Sequence, residues 1–110
     1  MNIQIIGTKK CRDTQKAVRY FKERRIPFHF VDLNERELSK GEFDKIISRI
    51  NAEDLIDKNS KVYKERNYSY LEYDPYDELF EYQHMIKTPV IRNGNEVTCG
   101  LKPEIWKGWT

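Results

Sequence analysis

The sequence predicts an α/β fold on a mixed sheet, with the order β-α-β, a helical stretch, β-β and a closing helix. Three observations carry that expectation. Two β-rich runs, residues 2–6 and 28–33, enclose a stretch in which apolar residues recur at helical spacing. Two more, 88–92 and 96–99, flank Asn93-Gly94-Asn95, a strong hairpin signal. Between these pairs the periodicity is helical again. At 110 residues there is room for one domain with one core, so residues 1–110 read as a single domain.

The elements follow in order. Ile3 and Ile5 give the first run its alternation, and Gly7 ends it. A helix over residues 12–25 has Ala17, Val18, Tyr20, Phe21 and Arg24 at three- and four-residue steps, and Ile26-Pro27 stops it. In the second strand Phe28, Phe30 and Asp32 point one way; His29, Val31 and Leu33 point the other, with His29 a structural residue. Two strands joined by a helix should be parallel with a right-handed crossover. Ser39-Lys40-Gly41-Glu42 is a capping box, and Phe43, Ile46, Ile47 and Ile50 mark the buried face of the helix it starts. Short helices are expected over residues 52–57 and 60–66. Another begins at the cap Asp74 with Pro75 at its first position, carrying Tyr76, Leu79, Phe80 and Tyr82. Lys102-Pro103-Glu104 starts the last helix, with Trp106 and Trp109.

Hydrophobic residues make up 38% and charged residues 35%, and the apolar ones recur throughout, so the chain folds rather than staying disordered. A net charge of +2 points to no strongly charged partner overall. Its distribution is uneven. Residues 9–25 carry Lys9, Lys10, Arg12, Lys16, Arg19, Lys22, Arg24 and Arg25 against Asp13 and Glu23. Residues 72–81 carry Glu72, Asp74, Asp77, Glu78 and Glu81. These are either solvated helix faces or, for the first, a cationic field around Cys11; geometry decides. No apolar run reaches membrane-spanning length, and residues 1–6 lack the basic start of a secretory signal. The two cysteines, Cys11 and Cys99, form neither a disulfide framework nor a metal site of usual spacing. Free thiols without an export signal suggest the cytoplasm. The tyrosines between Tyr63 and Tyr82 sit among acidic residues and outside any nucleic-acid motif, so packing explains them and direct nucleic-acid binding is not expected. No long apolar patch is evident, which favours a monomer.

Chemistry centres on Cys11, which follows a strand and loop and opens a helix. A helix N-terminus offers free N–H groups and partial positive charge, and both stabilise a thiolate. Lys9, Lys10 and Arg12 add positive charge. Such surroundings lower a thiol pKa from about 8.5 and make the sulfur nucleophilic at neutral pH. The motif is Cys11-Arg12-Asp13-Thr14, not Cys-x-x-Cys. Thr14 forms no disulfide; it is either a hydroxyl donor to the sulfur or a polar first-turn residue. Any redox cycle therefore needs an external thiol or a distant cysteine. Thr88-Pro89 opens a strand central to this topology, where proline lacks an N–H; a cis peptide and an ordinary trans proline both fit. Cys99, in the last strand, reads as a buried, unreactive thiol.

Three segments resemble the arsenate reductase/Spx (ArsC-like) family: residues 7–17 around Cys11, Lys87-Thr88-Pro89-Val90-Ile91-Arg92-Asn93-Gly94, and Gly100-Leu101-Lys102-Pro103-Glu104-Ile105-Trp106-Lys107. The resemblance covers nearly the whole chain. It implies a thioredoxin-like fold (βαβ, helical insertion, ββα), a cis bond at Pro89 and a nucleophilic Cys11, with Lys10, Arg12, Thr14, Thr88 and Pro89 supporting it. It implies attack on arsenate with no bound cofactor, glutathione as co-substrate, and a small thiol or glutaredoxin as partner. The arsenate reductases surround the oxyanion with arginines, where this chain has Thr88, Asp57-Lys58 and Lys102. Lys58, Lys87, Arg92 and Lys102 form the loose cationic set that remains for an oxyanion. Lysine neutralises charge but lacks arginine's planar fork. The favoured reading is a single-cysteine thiol oxidoreductase resolved by an external thiol. The alternative is a Spx-like regulator binding RNA polymerase; Thr14 removes the Cys-x-x-Cys switch such regulators often carry.

Overall fold

The computed structural model describes residues 2–66 and 73–109. They fall into two compact units: Met1–Arg36 with Thr88–Thr110, and Glu37–Lys87. Tyr68, Tyr70 and Glu72, singled out above, lie outside the described residues.

The first unit is built on a four-stranded mixed sheet in the order β2-β1-β3-β4. Strand β1 is Ile3–Gly7, β2 is Phe28–Asp32, β3 is Val90–Asn93 and β4 is Glu96–Cys99. β1 and β2 are parallel, as a strand-helix-strand unit requires, and β3 runs antiparallel to both β1 and β4. Asn93 pairs with Glu96 across a two-residue turn in which Gly94 takes φ +59°. That left-handed conformation is why glycine stands there. β3 starts two residues later than expected, because Thr88 and Pro89 form the turn that enters it.

Helix α1, Arg12–Glu23, lies between β1 and β2 in sequence. It buries Thr14, Ala17 and Phe21 and half-buries Val18 and Tyr20, so the expected face is correct except at Arg24. That side chain is exposed and stacks over the Tyr20 ring at 3.7 Å. The helix also ends before Ile26-Pro27. Arg25 turns to φ 56°, and Ile26 donates its N–H back to the Phe21 carbonyl at 3.0 Å. This left-handed C-terminal closure satisfies a free carbonyl before the proline is reached.

Helix α6, Pro103–Trp106, continues as a 3-10 turn over Lys107–Trp109. Ile3, Ile5, Ala17, Phe21, Ile91 and Trp106 form one core cluster. Trp106 is fully buried, lies 5.3 Å from Phe21 between ring centroids, and donates Nε1–H to Thr98 Oγ1 at 2.8 Å. The indole thus buries a large apolar surface without stranding its N–H. His29, on edge strand β2, is exposed rather than packed.

The second unit is helical: α2 Lys40–Ile47, α3 Ala52–Leu55, α4 Lys61–Arg66, α5 Pro75–Glu81 and a 3-10 turn over Gln83–Met85. The expected capping box is present: Ser39 Oγ accepts from Glu42 N–H at 3.2 Å, and Glu42 Oε1 accepts from Ser39 N–H at 2.9 Å. Asp74 caps α5 through the Tyr76 N–H at 2.9 Å. Of the α5 residues expected inside, Leu79 alone is fully buried. Gln83, also buried, exchanges two hydrogen bonds with the Leu38 backbone, at 2.6 and 3.0 Å. On the surface, Lys40 Nζ donates to Tyr76 Oη at 2.8 Å, and Tyr76 donates to Asp44. The tyrosine and aspartate together hold the Lys40 pKa up, and the Tyr76 hydroxyl holds Asp44 down despite the opposing desolvation.

Candidate active site

Register places the site. Ile6 pairs with Val90, so the Thr88-Pro89 turn meets the end of β1, where the loop to Cys11 begins. Cys11 is the N-cap residue of α1, with extended backbone at φ −71° and ψ 121°. Its N–H donates to the Thr8 carbonyl at 3.2 Å, and its carbonyl accepts from Gln15 N–H at 3.0 Å. Gln15 Nε2 donates to the Lys9 carbonyl at 2.7 Å and ties the loop to the helix.

The sulfur is half-buried and faces Thr88. Thr88 Oγ1 donates to Cys11 Sγ at 3.0 Å, and the thiol in turn lies 3.6 Å from the Thr88 carbonyl as donor. The Thr88-Pro89 peptide is cis, and the Pro89 carbonyl accepts from Gly100 N–H at 2.8 Å. Thr88 thus carries an acceptor for the thiol and a donor for the thiolate.

Thr14 is 1% exposed, and a Cβ on Gly7 would lie 2.4 Å from its Oγ1. Gly7 is therefore glycine because α1 seats Thr14 directly on the strand backbone. Among the described residues Thr14 Oγ1 has no hydrogen-bond partner of normal geometry. The hydroxyl nonetheless acts on Cys11 in the direction of a thiolate. Burial pushes the Cys11 thiol up; the Thr14 and Thr88 hydroxyls, with the Thr14 and Asp13 backbone N–H groups, outweigh it, and the net direction is down. Hydroxyls and the helix N-terminus do this, not the lysines and arginine beside Cys11. Lys9, Lys10 and Arg12 are exposed, and Lys9 lies 3.7 Å from Glu35.

The other expected residues belong to both units. Arg92 is directed along the sheet, donating from Nη1 to Gln4 Oε1 at 2.9 Å. It pairs in register with Gln4, three residues from Gly7, which is about 10 Å along a strand. Its guanidinium is committed to the sheet and does not join an oxyanion set at Cys11. Lys102 is the N-cap residue of α6, exposed, two residues beyond Gly100. Lys58 and Lys87 belong to the second unit, where Lys58 pairs with Glu53 at 3.5 Å and the Lys87 N–H donates to the Leu55 carbonyl at 2.7 Å. Cys99 is half-buried, more open than expected, at the end of β4. Among the described residues no group of three or more His, Cys, Asp or Glu is arranged to hold a metal ion. None of their helices is long and apolar enough to cross a membrane. Sequence reasoning missed Gly7 and Gln15; the one signal was a glycine where the strand meets the loop.

A sequence model of the ArsC family matches residues 6–108. No curated protein matches the chain in sequence. Among solved structures it is similar to a protein from Bacteroides fragilis described as related to the ArsC family, at 20% identity and TM-score 0.86, covering 100% of this chain and 98% of that one. It is similar to the arsenate reductase from Vibrio cholerae at 16% identity and TM-score 0.81, over 96% and 94% of the two chains. An arsenate reductase-related protein from Brucella melitensis gives 19% identity and TM-score 0.71 over 99% and 94%. At these identities the likeness is one of fold, the thioredoxin-like α/β fold expected from the three motif segments.

Proposed function

The chain belongs to the ArsC family, and on that footing we propose that it is a single-cysteine thiol oxidoreductase with Cys11 as nucleophile. The observation that carries this reading is the Thr88 hydroxyl aimed at Cys11 Sγ from 3.0 Å, at a helix N-terminus. A thiolate there is stabilised yet half-open to a reactant.

Two half-reactions complete the cycle. The Cys11 thiolate attacks the glutathione sulfur of a glutathione mixed disulfide; a Cys11–glutathione disulfide forms, and the other sulfur leaves as thiolate with the bonding pair. Glutathione thiolate, free or through a glutaredoxin, attacks the glutathione sulfur of that mixed disulfide and releases Cys11 as thiolate. With arsenate, the sulfur displaces one oxygen as water. Glutathione thiolate then attacks the sulfur, the S–As pair stays on arsenic, and arsenite leaves as the disulfide forms. Thr88 in place of an arginine offers no planar fork to the oxyanion, so disulfide exchange is the faster of the two reactions.

The test is incubation with glutathione disulfide followed by mass spectrometry. One glutathione adduct on Cys11, removed by glutaredoxin with glutathione and absent in Cys11→Ser, is the expected result. An adduct on Cys99 alone, or none, refutes the assignment. Arsenite release in the same assay measures the oxyanion reaction.

A further inference from the structure

Beside Cys11 the first unit carries a feature that the sulfur chemistry does not use. A cavity of about 360 Å³ opens between α1 and β2, lined by Thr8, Lys9 and Thr14 from the Cys11 neighbourhood. Its apolar wall is Val18, Phe28 and Phe30, all half-buried, and Lys22 stands at its edge. The cavity starts at the Cys11 loop and follows β2, where Phe30 and Phe28 pair with Ile5 and Ile3, two and four residues back from Gly7, and half-buried aromatic surface there suits an apolar side chain of a partner held at the sulfur.

Charge extends the pattern outward. At 100° per residue, Lys22 lies on the cavity side of α1 and Arg19 adjoins it, about 60° further round; Arg12 and Lys16 continue the outward stripe beyond, Lys16 about 160° from Val18. All four are exposed, and none has a carboxylate within ion-pair distance among the described residues. Glu23 is the one anion on that stripe, at its far end. Arg19 lies eight residues beyond Cys11, about 12 Å along the helix axis, out of reach of a tripeptide-sized thiol held at the sulfur. A row of that length fits a macromolecular surface better than a small ligand.

We propose that Cys11 exchanges disulfides with an acidic protein partner, which seats an apolar side chain on Val18, Phe28 and Phe30 and sets carboxylates against Arg19 and Lys22. This rests on the nucleophile reading above and names its partner. Charge steers the encounter, and the apolar anchor holds it.

The probes are synthetic hexapeptides, each with one cysteine as a mixed disulfide with 2-thiopyridine: an acidic one with a phenylalanine beside the cysteine, the same peptide with lysine for glutamate, the acidic peptide with alanine for phenylalanine, and glutathione activated likewise. The Cys11 thiolate attacks the peptide sulfur, a new disulfide forms, and pyridine-2-thiolate leaves with the electron pair, which gives the rate by absorbance. The acidic aromatic peptide should react at least tenfold faster than the basic one at low salt, and molar salt should remove the difference. Alanine for phenylalanine should slow it several-fold. Arg19→Glu with Lys22→Glu should slow the acidic peptide and leave activated glutathione within twofold. Equal rates for acidic and basic peptides, or equal loss with activated glutathione, overturn the inference while the nucleophile stands. No reaction of Cys11 with any probe overturns both.

Discussion

At Cys11, position matters more than net charge. The sulfur sits at the N-cap of α1 with the Thr88 hydroxyl 3.0 Å away, and the neighbouring cations point into solvent. Thr88→Val removes that donor and keeps the shape, so the Cys11 pKa should rise and its alkylation at pH 7 should slow several-fold. A pH titration of thiolate absorbance checks it. Gly7→Ala forces a Cβ to within 2.4 Å of Thr14 Oγ1, so Thr14 must move or α1 must lift. We expect about 1–3 kcal/mol lost in urea unfolding, with a raised Cys11 pKa. The sequence shows the cysteine and the proline turn plainly, because both break local rules. It hides the part played by Thr14, since a polar first-turn residue and a sulfur ligand look alike until the strand register is known. It hides Gly7 for the same reason. Arg92 looked available because one residue's direction on a strand cannot be read without its partner, Gln4.

Elements were more legible, and the misses share one cause. Caps and turns were right wherever a side chain closes on its own backbone: Ser39 with Glu42, Asp74 before Pro75, Gly94 in the hairpin. These signals are local. The end of α1 was misplaced because Arg25, a residue without left-handed preference, takes φ 56° and closes the helix before the proline. The order of the strands and the antiparallel placing of β3 depend on long-range pairing, which periodicity does not report. Ser39→Ala should cost about 1 kcal/mol, since it removes one capping bond and frees the Glu42 N–H. Thermal unfolding of the variant measures it, with Ser39→Asp as the capping control.

For the whole molecule, sheet and helices of the first unit meet on Trp106. The indole is fully buried against Phe21 and hydrogen-bonded to Thr98. Trp106→Ala should cost about 3–5 kcal/mol, a large part of the 5–15 kcal/mol or so that a domain has. Urea unfolding followed by far-UV circular dichroism gives the value. The helical second unit has its own buried residues, among them Phe43, Leu55, Leu79 and Met85. What the chain does depends on whether that scaffold delivers an activated sulfur. The most direct measurement is the rate of iodoacetamide alkylation at Cys11 against pH, assigned by mass spectrometry with Cys99 as internal reference. Hydroxyl and N–H donors hold the Cys11 pKa down, so its thiolate persists to lower pH. The expected result is a Cys11 midpoint below the ordinary thiol value of about 8.5. A Cys11 midpoint at or above that value would contradict the account.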